Sequence, residues 1–320
     1  MNMSSLVDHI RERYYHHFIL LVQPTPNMYP QIILFGDSVT QCMTTNIQAW
    51  LQTRYSRRAD IINRGFGGYT SQQGLSLLPK IIPSLHPDTS PEIKLCFVFF
   101  GANDAFQPPQ TPGRPRVHLE DFLSNISKIV EYLISISKEM KVVLITPPAV
   151  DEYSLPHTGL TSERIAAYAT ATRKVAAEHE LPLVDCSKAF LKFSGWNGSL
   201  EESILPGDKR LGKNDALASL LTDGLHLSAK GYEVLFHEVI SVIEGEIQQL
   251  SCSNMPVVIS DNELGAIWDD FGACDQIVNQ TGYPVTEQDR SRAFRKKVEL
   301  EESIGMTIDE FFQVGTIGKR

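Results

Sequence analysis

Along the chain, short apolar runs alternate with longer stretches in which apolar residues recur at helical spacing. The runs Ile32 to Phe35, Ile61 to Asn63, Ile93 to Phe100, Lys141 to Thr146 and Leu183 to Asp185 read as strands. Between them, helices are expected from the end of the first run to roughly Tyr55, from about Thr70, over Leu119 to Met140 and over Thr161 to His179. Leu119, Phe122, Leu123, Ile126, Ile129, Val130 and Leu133 recur at helical spacing in the third, and Thr161, Ser162 and Glu163 open the fourth with capping chemistry. A long helix from about Ser228 to Leu250 closes the series. Strands without polar alternation are buried on both faces, so five of them interleaved with helices imply an α/β fold whose parallel sheet is covered on both sides. Ligands in such sheets bind at the carboxyl ends of the strands, so the loops after Phe35, Asn63 and Phe100 are the places to look for chemistry.

The pattern divides the chain. Residues 1–29 have no period and end among Pro24, Pro26 and Pro30, which reads as an irregular N-terminal arm. Residues 30–250 carry the whole strand and helix rhythm. Residues 251–320 form a C-terminal extension, with a charged surface helix expected over Glu287 to Glu302 and no assigned role.

Apolar residues make up 42% of the 320 and charged ones 21%, a composition that folds into a globular core. Lys and Arg number 29 against 38 Asp and Glu, for a net charge of −9, so phosphate backbones and anionic lipid are poor partners. The five cysteines, Cys42, Cys96, Cys186, Cys252 and Cys274, include no C-x-x-C pair and read as reduced thiols. Phe18 to Val22 is too short for the core of an export signal, and no segment approaches a membrane span. A cytoplasmic location is the expectation, which leaves the N-x-[ST] triplets at Asn125, Asn197 and Asn279 without meaning.

Candidate chemistry falls on the expected loops. Gly36-Asp37-Ser38-Val39-Thr40 puts Ser38 at the end of the first strand, where unpaired N–H groups of a starting helix can stabilise an oxyanion. Gly65 to Ser71 (GFGGYTS) lets a backbone N–H approach a ligand closely, and Asn103 in Gly101-Ala102-Asn103-Asp104 can aim its amide at the same oxyanion. In Asp223-Gly224-Leu225-His226, an Asp and a His three residues apart can join carboxylate to Nδ1, leaving Nε2 to face Ser38. Taken singly, Ser38 and Asp223 read as helix caps, the glycines and Asn103 as turn residues, and His226 as incidental. Taken together they are a nucleophile, its base, an orienting carboxylate and oxyanion donors.

These residues resemble the SGNH (GDSL-type) hydrolases, whose four blocks occur here in order: Ser38 in GDSVT, Gly68 in NRGFGGYTS with Gly67 beside it, Asn103 in FFGAND, and Asp223 with His226 in DGLHLS. Within that family, GANDA, NRGFGGY and TPPAVDE are similar to the isoamyl acetate-hydrolysing esterase group. The resemblance covers residues 30–250. It departs at Val39, where the family name has Leu, and 251–320 has no counterpart in it. It implies a three-layer α/β/α, flavodoxin-like fold with a five-stranded parallel sheet, and hydrolysis of small carboxylic esters through an acyl-enzyme. The implied roles are nucleophile for Ser38, base for His226, orienting acid for Asp223, and oxyanion donors from the backbone of Ser38 and Gly68 and the amide of Asn103. No cofactor or metal is implied, and the expected partner is a small-molecule ester.

The same machinery serves thioesterases, lysophospholipases and carbohydrate deacetylases, and the fold can also persist in a binding protein without turnover. Other motifs carry less. Gly207 to Asn214 (GDKRLGKN) nearly matches a phosphate loop but ends in Asn214 in place of a metal-binding hydroxyl, and no apolar strand precedes it. His237-Glu238 lacks the second His of a zinc-protease helix, and Ser38 lacks the last glycine of G-x-S-x-G. The Pro-rich segment from Phe106 to Val117 is expected to border the pocket.

Overall fold

Five parallel strands form one sheet: β1 Gln31–Gly36, β2 Asp60–Gly65, β3 Ile93–Phe99, β4 Lys141–Ile145 and β5 Leu183–Val184. In the computed structural model the described residues are 29–82, 91–106, 117–155, 159–199 and 204–258. The strands lie in the order β2-β1-β3-β4-β5. Because successive side chains of a strand point to opposite faces, Ile32 and Leu34 of β1 enter one apolar cluster and Ile33 and Phe35 the other. Each cluster needs helices to close it.

Helix α1 covers Ser38–Gln41 and α2 Ile47–Arg54, α3 Ser71–Ile81, α4 Leu119–Ile136, α5 Ser162–Glu178, α6 Cys186–Phe193, α7 Asp215–Ser219 and α8 Ala229–Glu246. Leu78 of α3, Phe122 and Ile129 of α4 and Ile165 and Val175 of α5 are buried on one face of the sheet. Leu51 of α2, Phe190 of α6 and Leu235 and Val239 of α8 are buried on the other. The result is the three-layer α/β/α architecture in the flavodoxin-like strand order. The order reverses at β1, which pairs with both β2 and β3. That reversal opens a crevice at the carboxyl end of β1, where the chain reaches Ser38.

Some boundaries differ from the sequence expectation. The single helix expected up to Tyr55 is broken: α1 stops after four residues, a 3-10 turn follows at Cys42–Thr45, and α2 restarts at Ile47. Thr44 Oγ1 donates to the carbonyl of Gln41 and Asn46 Nδ2 to Thr45 Oγ1, so short polar side chains compete locally with a continuous helix. The helix expected to reach Met140 ends at Ile136, where Ser137 turns extended at φ −153°. Helices α6 and α7 fall where no element was expected.

Helix α8 seals the face it shares with α2 and α6, through contacts with residues almost 200 positions earlier in the chain. Tyr232 Oη donates to the carbonyl of Val39 at 2.8 Å, Trp50 packs edge-on against Phe236, and Arg54 pairs with Glu244 at 2.9 Å. Packing continues beyond the boundary read at residue 250. Tyr55 Oη donates to the Leu250 carbonyl at 2.7 Å, and Met255 is buried in the same cluster. The chain separates into two compact units, 1–256 and 257–320. The N-terminal arm up to residue 28, residues 107–116 of the Pro-rich segment, Cys274 and the surface helix over Glu287 to Glu302 lie outside the described residues.

Candidate active site

Ser38 is the first residue of α1 and is half-buried. Asp37 makes that start possible: its Oδ1 accepts from the Val39 N–H at 2.9 Å, capping the helix. With only four residues, α1 carries far less dipole than the long helix expected from sequence, so an anion bound here would be held by individual N–H groups.

The loop after β2 supplies the glycine segment. Tyr69 N–H donates to the Phe66 carbonyl at 3.1 Å, closing a four-residue turn, and Gly68 occupies its third position with φ +79°. A type II turn demands positive φ there, which glycine adopts without strain. The two neighbouring glycines are distinguished by their contacts: the Gly67 N–H donates to Gln41 Oε1 at 2.7 Å, so the Gly68 N–H is the candidate donor. Phe66 and Tyr69 stack across the turn with ring centroids 5.4 Å apart.

Asn103 follows β3. Its Nδ2 donates to the Tyr69 carbonyl at 3.0 Å and faces Asp37 Oδ2 at 3.4 Å, which ties the asparagine loop to both the glycine turn and the serine loop. Asp104, buried beside it, accepts from the N–H and hydroxyl of Ser71 at the start of α3, and Asn125 of α4 donates to that hydroxyl. Burial pushes the Asp104 carboxyl up to about 6, against the lowering effect of the Ser71 hydrogen bonds. Burial pushes Asp37 further, to about 7; the Val39 N–H and the Asn103 amide pull it down, and the charge of Asp104 adds to the rise.

His226 and Asp223 sit on a tight loop between α7 and α8. An antiparallel bridge joins Leu221 to Leu227, and Thr222 N–H donates to the His226 carbonyl at 2.8 Å. Asp223 Oδ1 accepts from the N–H groups of Leu225 and His226, and Oδ2 meets His226 Nδ1 at 2.7 Å. The other ring nitrogen, Nε2, lies 2.9 Å from Ser38 Oγ. Partial burial alone would raise the Asp223 carboxyl, but hydrogen bonds from the His226 ring and the two N–H groups outweigh it and hold the group below its ordinary value. Gly224, at φ +90°, lets the loop dock: its carbonyl accepts from the Asp151 N–H at 2.9 Å, and a Cβ on it would stand 2.7 Å from the Asp151 carbonyl oxygen.

The structure thus brings Ser38, His226 and Asp223 into one hydrogen-bonded chain and sets Asn103 against the residue that precedes Ser38. A nucleophile with a base held in one tautomer can attack a carbonyl. Sequence reasoning singled out neither Asp37 nor Gln41; Asp37 was visible only as a cap-type residue at a strand end, and Gln41 gave no signal. The near-match to a phosphate loop resolves into local structure: Asp208 caps a 3-10 turn and Asn214 caps α7. A separate cleft, lined by Lys138, Met140, Lys141 and Pro182 among others, involves the amino end of β4 and none of the residues above. Among the described residues, no helix is long and apolar enough to cross a membrane.

Residues 34–234 match the GDSL-like Lipase/Acylhydrolase family. Over 223 residues the chain is 34% identical to a GDSL esterase/lipase of Arabidopsis thaliana, covering 67% of this chain and 86% of that protein. Over 254 residues it is 32% identical to the isoamyl acetate-hydrolyzing esterase of Saccharomyces cerevisiae, covering 73% and 94%. The human isoamyl acetate-hydrolyzing esterase 1 homolog is 31% identical over 236 residues, covering 70% and 85%. Among solved structures, that of an acetyl xylan esterase shares the fold with a TM-score of 0.50 at 23% identity, covering 67% of this chain and 99% of that one. The chain belongs to the GDSL-like lipase/acylhydrolase family, and with it to the carboxylic ester hydrolases.

Proposed function

We propose that this member of the family is a serine esterase that cleaves small carboxylic esters, acetates first among them, through an acyl-enzyme. The observation that carries the reading is the unbroken chain from Ser38 Oγ through both nitrogens of His226 to Asp223, at 2.9 and 2.7 Å. With its Nδ1–H donated to the Asp223 carboxylate, His226 presents a lone pair at Nε2 to the Ser38 hydroxyl. Ser38 Oγ attacks the ester carbonyl as Nε2 takes its proton. The tetrahedral oxyanion is held by the N–H groups of Ser38 and Gly68 and by the Asn103 amide. The alcohol leaves with the proton returned from His226, and water repeats the sequence against the acyl group, releasing acid and free enzyme. Every step uses protein side chains and water, so no cofactor or metal enters the scheme.

The acetate preference rests on the yeast and human relatives named for isoamyl acetate hydrolysis, both about a third identical to this chain. All proposed groups come from residues 30–250, so the chemistry is assigned there and none to the extension. We place the enzyme in the cytoplasm, where the free thiols Cys42, Cys96, Cys186 and Cys252 stay reduced.

The test combines a fluorophosphonate probe with an ester panel that varies acyl and alcohol length separately. Labelling should require Ser38, and kcat/KM should fall as the acyl chain lengthens beyond acetate. A folded Ser38→Ala protein that hydrolyses esters at the wild-type rate would overturn the mechanism. A preference for long acyl chains would replace acetate esters by lipids.

A further inference from the structure

Six of the helical segments described here have a side-chain cap from Thr, Ser or Asn or from an aspartate paired with arginine. Thr70, Thr161, Asn214 and Ser228 are neutral, and Asp185 and Asp208 are paired with Arg173 and Arg210. Asp37 is the exception. It caps α1 with one oxygen, is 2% exposed, lies near the charge of Asp104, and has no cationic partner among the described residues. Burying a carboxylate without a cation is costly, and a serine or asparagine would cap as well. The second oxygen therefore has to account for the residue, and it faces Asn103.

A primary amide nitrogen carries two hydrogens. At Asn103 one is committed to the Tyr69 carbonyl at 3.0 Å, and the other points to Asp37 Oδ2 at 3.4 Å, beyond the usual N–H···O range of about 2.7–3.2 Å. The loosely held hydrogen is the one free to move to a stronger acceptor. We propose that Asp37, the residue before Ser38, is a positioning residue that holds the second N–H of the Asn103 amide and yields it to the oxyanion as that charge forms. The inference rests on the esterase reading. The burial that pushes the Asp37 carboxyl up to about 7 also weakens its hold at neutral pH, since a partly protonated acid is a poorer acceptor than a full carboxylate. The amide is thus aligned in advance without being trapped.

Asp37→Ser and Asp37→Asn both keep a capping oxygen for Val39, so they separate the two roles. Each should lower kcat on the order of 10- to 100-fold, the scale of a misplaced catalytic group, and leave KM unchanged. In an Asn103→Ala background the same replacements should cost nothing further, because Asp37 acts through the amide. The side-chain amide resonances of Asn103, identified by their loss in Asn103→Ala, should shift in both Asp37 variants of the full-length protein. Unmoved amide resonances, or losses that multiply in the double variants, would overturn the proposal. Absence of Ser38 labelling in the wild-type protein would instead remove the esterase reading, and the resonances would still decide whether Asp37 holds Asn103.

Discussion

Ser38 and His226 meet at 2.9 Å, yet the elements that carry them are made in opposite ways. The serine side is dry and sheet-bound: Asp37 and Asp104 are each 2% exposed, and the loops after β1, β2 and β3 are bonded to one another through Asn103 and Gln41. The histidine side is wet. The side chains of Asp223 and His226 are 55% and 36% exposed, and their loop is ordered by its own hydrogen bonds and by the docking of Gly224 onto Asp151. The environment sets the state of each carboxylate. Asp223, close to water and bonded to three N–H donors, stays ionised and can steady an imidazolium; Asp37, deprived of water, is driven towards neutrality. A charged partner for His226 and a weakly holding partner for the Asn103 amide thus come from the same residue type in opposite surroundings.

The strongest way to break this contrast is to ask whether exposure makes the histidine side dispensable. It should not. His226→Ala is expected to lower turnover on the order of 10⁶-fold, the scale at which nucleophile and base fail as a unit, with thermal stability little changed. A loss of less than tenfold would mean that the exposed loop is peripheral to the reaction. Next in size is the serine side. Asn103→Ala should lower kcat by about 10²–10³-fold with little change in KM, because its amide meets a charge present mainly in the transition state. An effect confined to KM would make Asn103 a ground-state binding residue.

The smallest effect concerns stability and sharpens the contrast by its sign. Asp37 and Asp104 hold protons in the folded state up to about pH 7 and 6, whereas an unfolded chain loses them near pH 4. Between those values the folded protein binds more protons, so these groups make stability fall as pH rises. Asp223, shifted downwards, acts in the opposite sense: its contribution is present above the ordinary carboxylate value and is lost as pH falls through its folded one. Asp37→Asn should therefore flatten the decline of Tm between about pH 5 and 7, by on the order of 1 kcal/mol or about 2–4 °C. Parallel Tm curves for the two proteins would show that Asp37 does not carry the proton.

The sequence made the middle of the sheet legible because β1, β3 and β4 are buried on both faces, and runs such as Ile93 to Phe99 then have no polar alternation to blur them. Ser38, Asn103, Asp223 and His226 could be singled out because each stands in a short block at a strand end or before a helix. What stayed hidden depends on contacts between distant residues or on weak local periods. Helices α6 and α7 span eight and five residues, too few turns for a periodic signal. The contact of Asp37 with Asn103 joins residues 66 apart, and that of Gln41 with Gly67 joins residues 26 apart. The break after α1 lay in Thr44, Thr45 and Asn46, whose side chains favour local bonds over a continuing helix.

His226 lies 188 residues downstream of Ser38, and the helix that follows it closes the face to which α1 and α2 belong. A ribosome-bound chain therefore displays the serine loop long before it has any means of activating it. Until residues 226–246 emerge, Val39, Met43, Ile47 and Leu51 also lack their covering layer and form a sticky surface of the kind that chaperones recognise. The meeting of His226 with Ser38 and the concealment of that surface both depend on the docking of α8. On the proposed mechanism, a nascent chain that ends before α8 would be inert towards esters and at its most prone to aggregate, so reactivity would arrive only with protection from self-association.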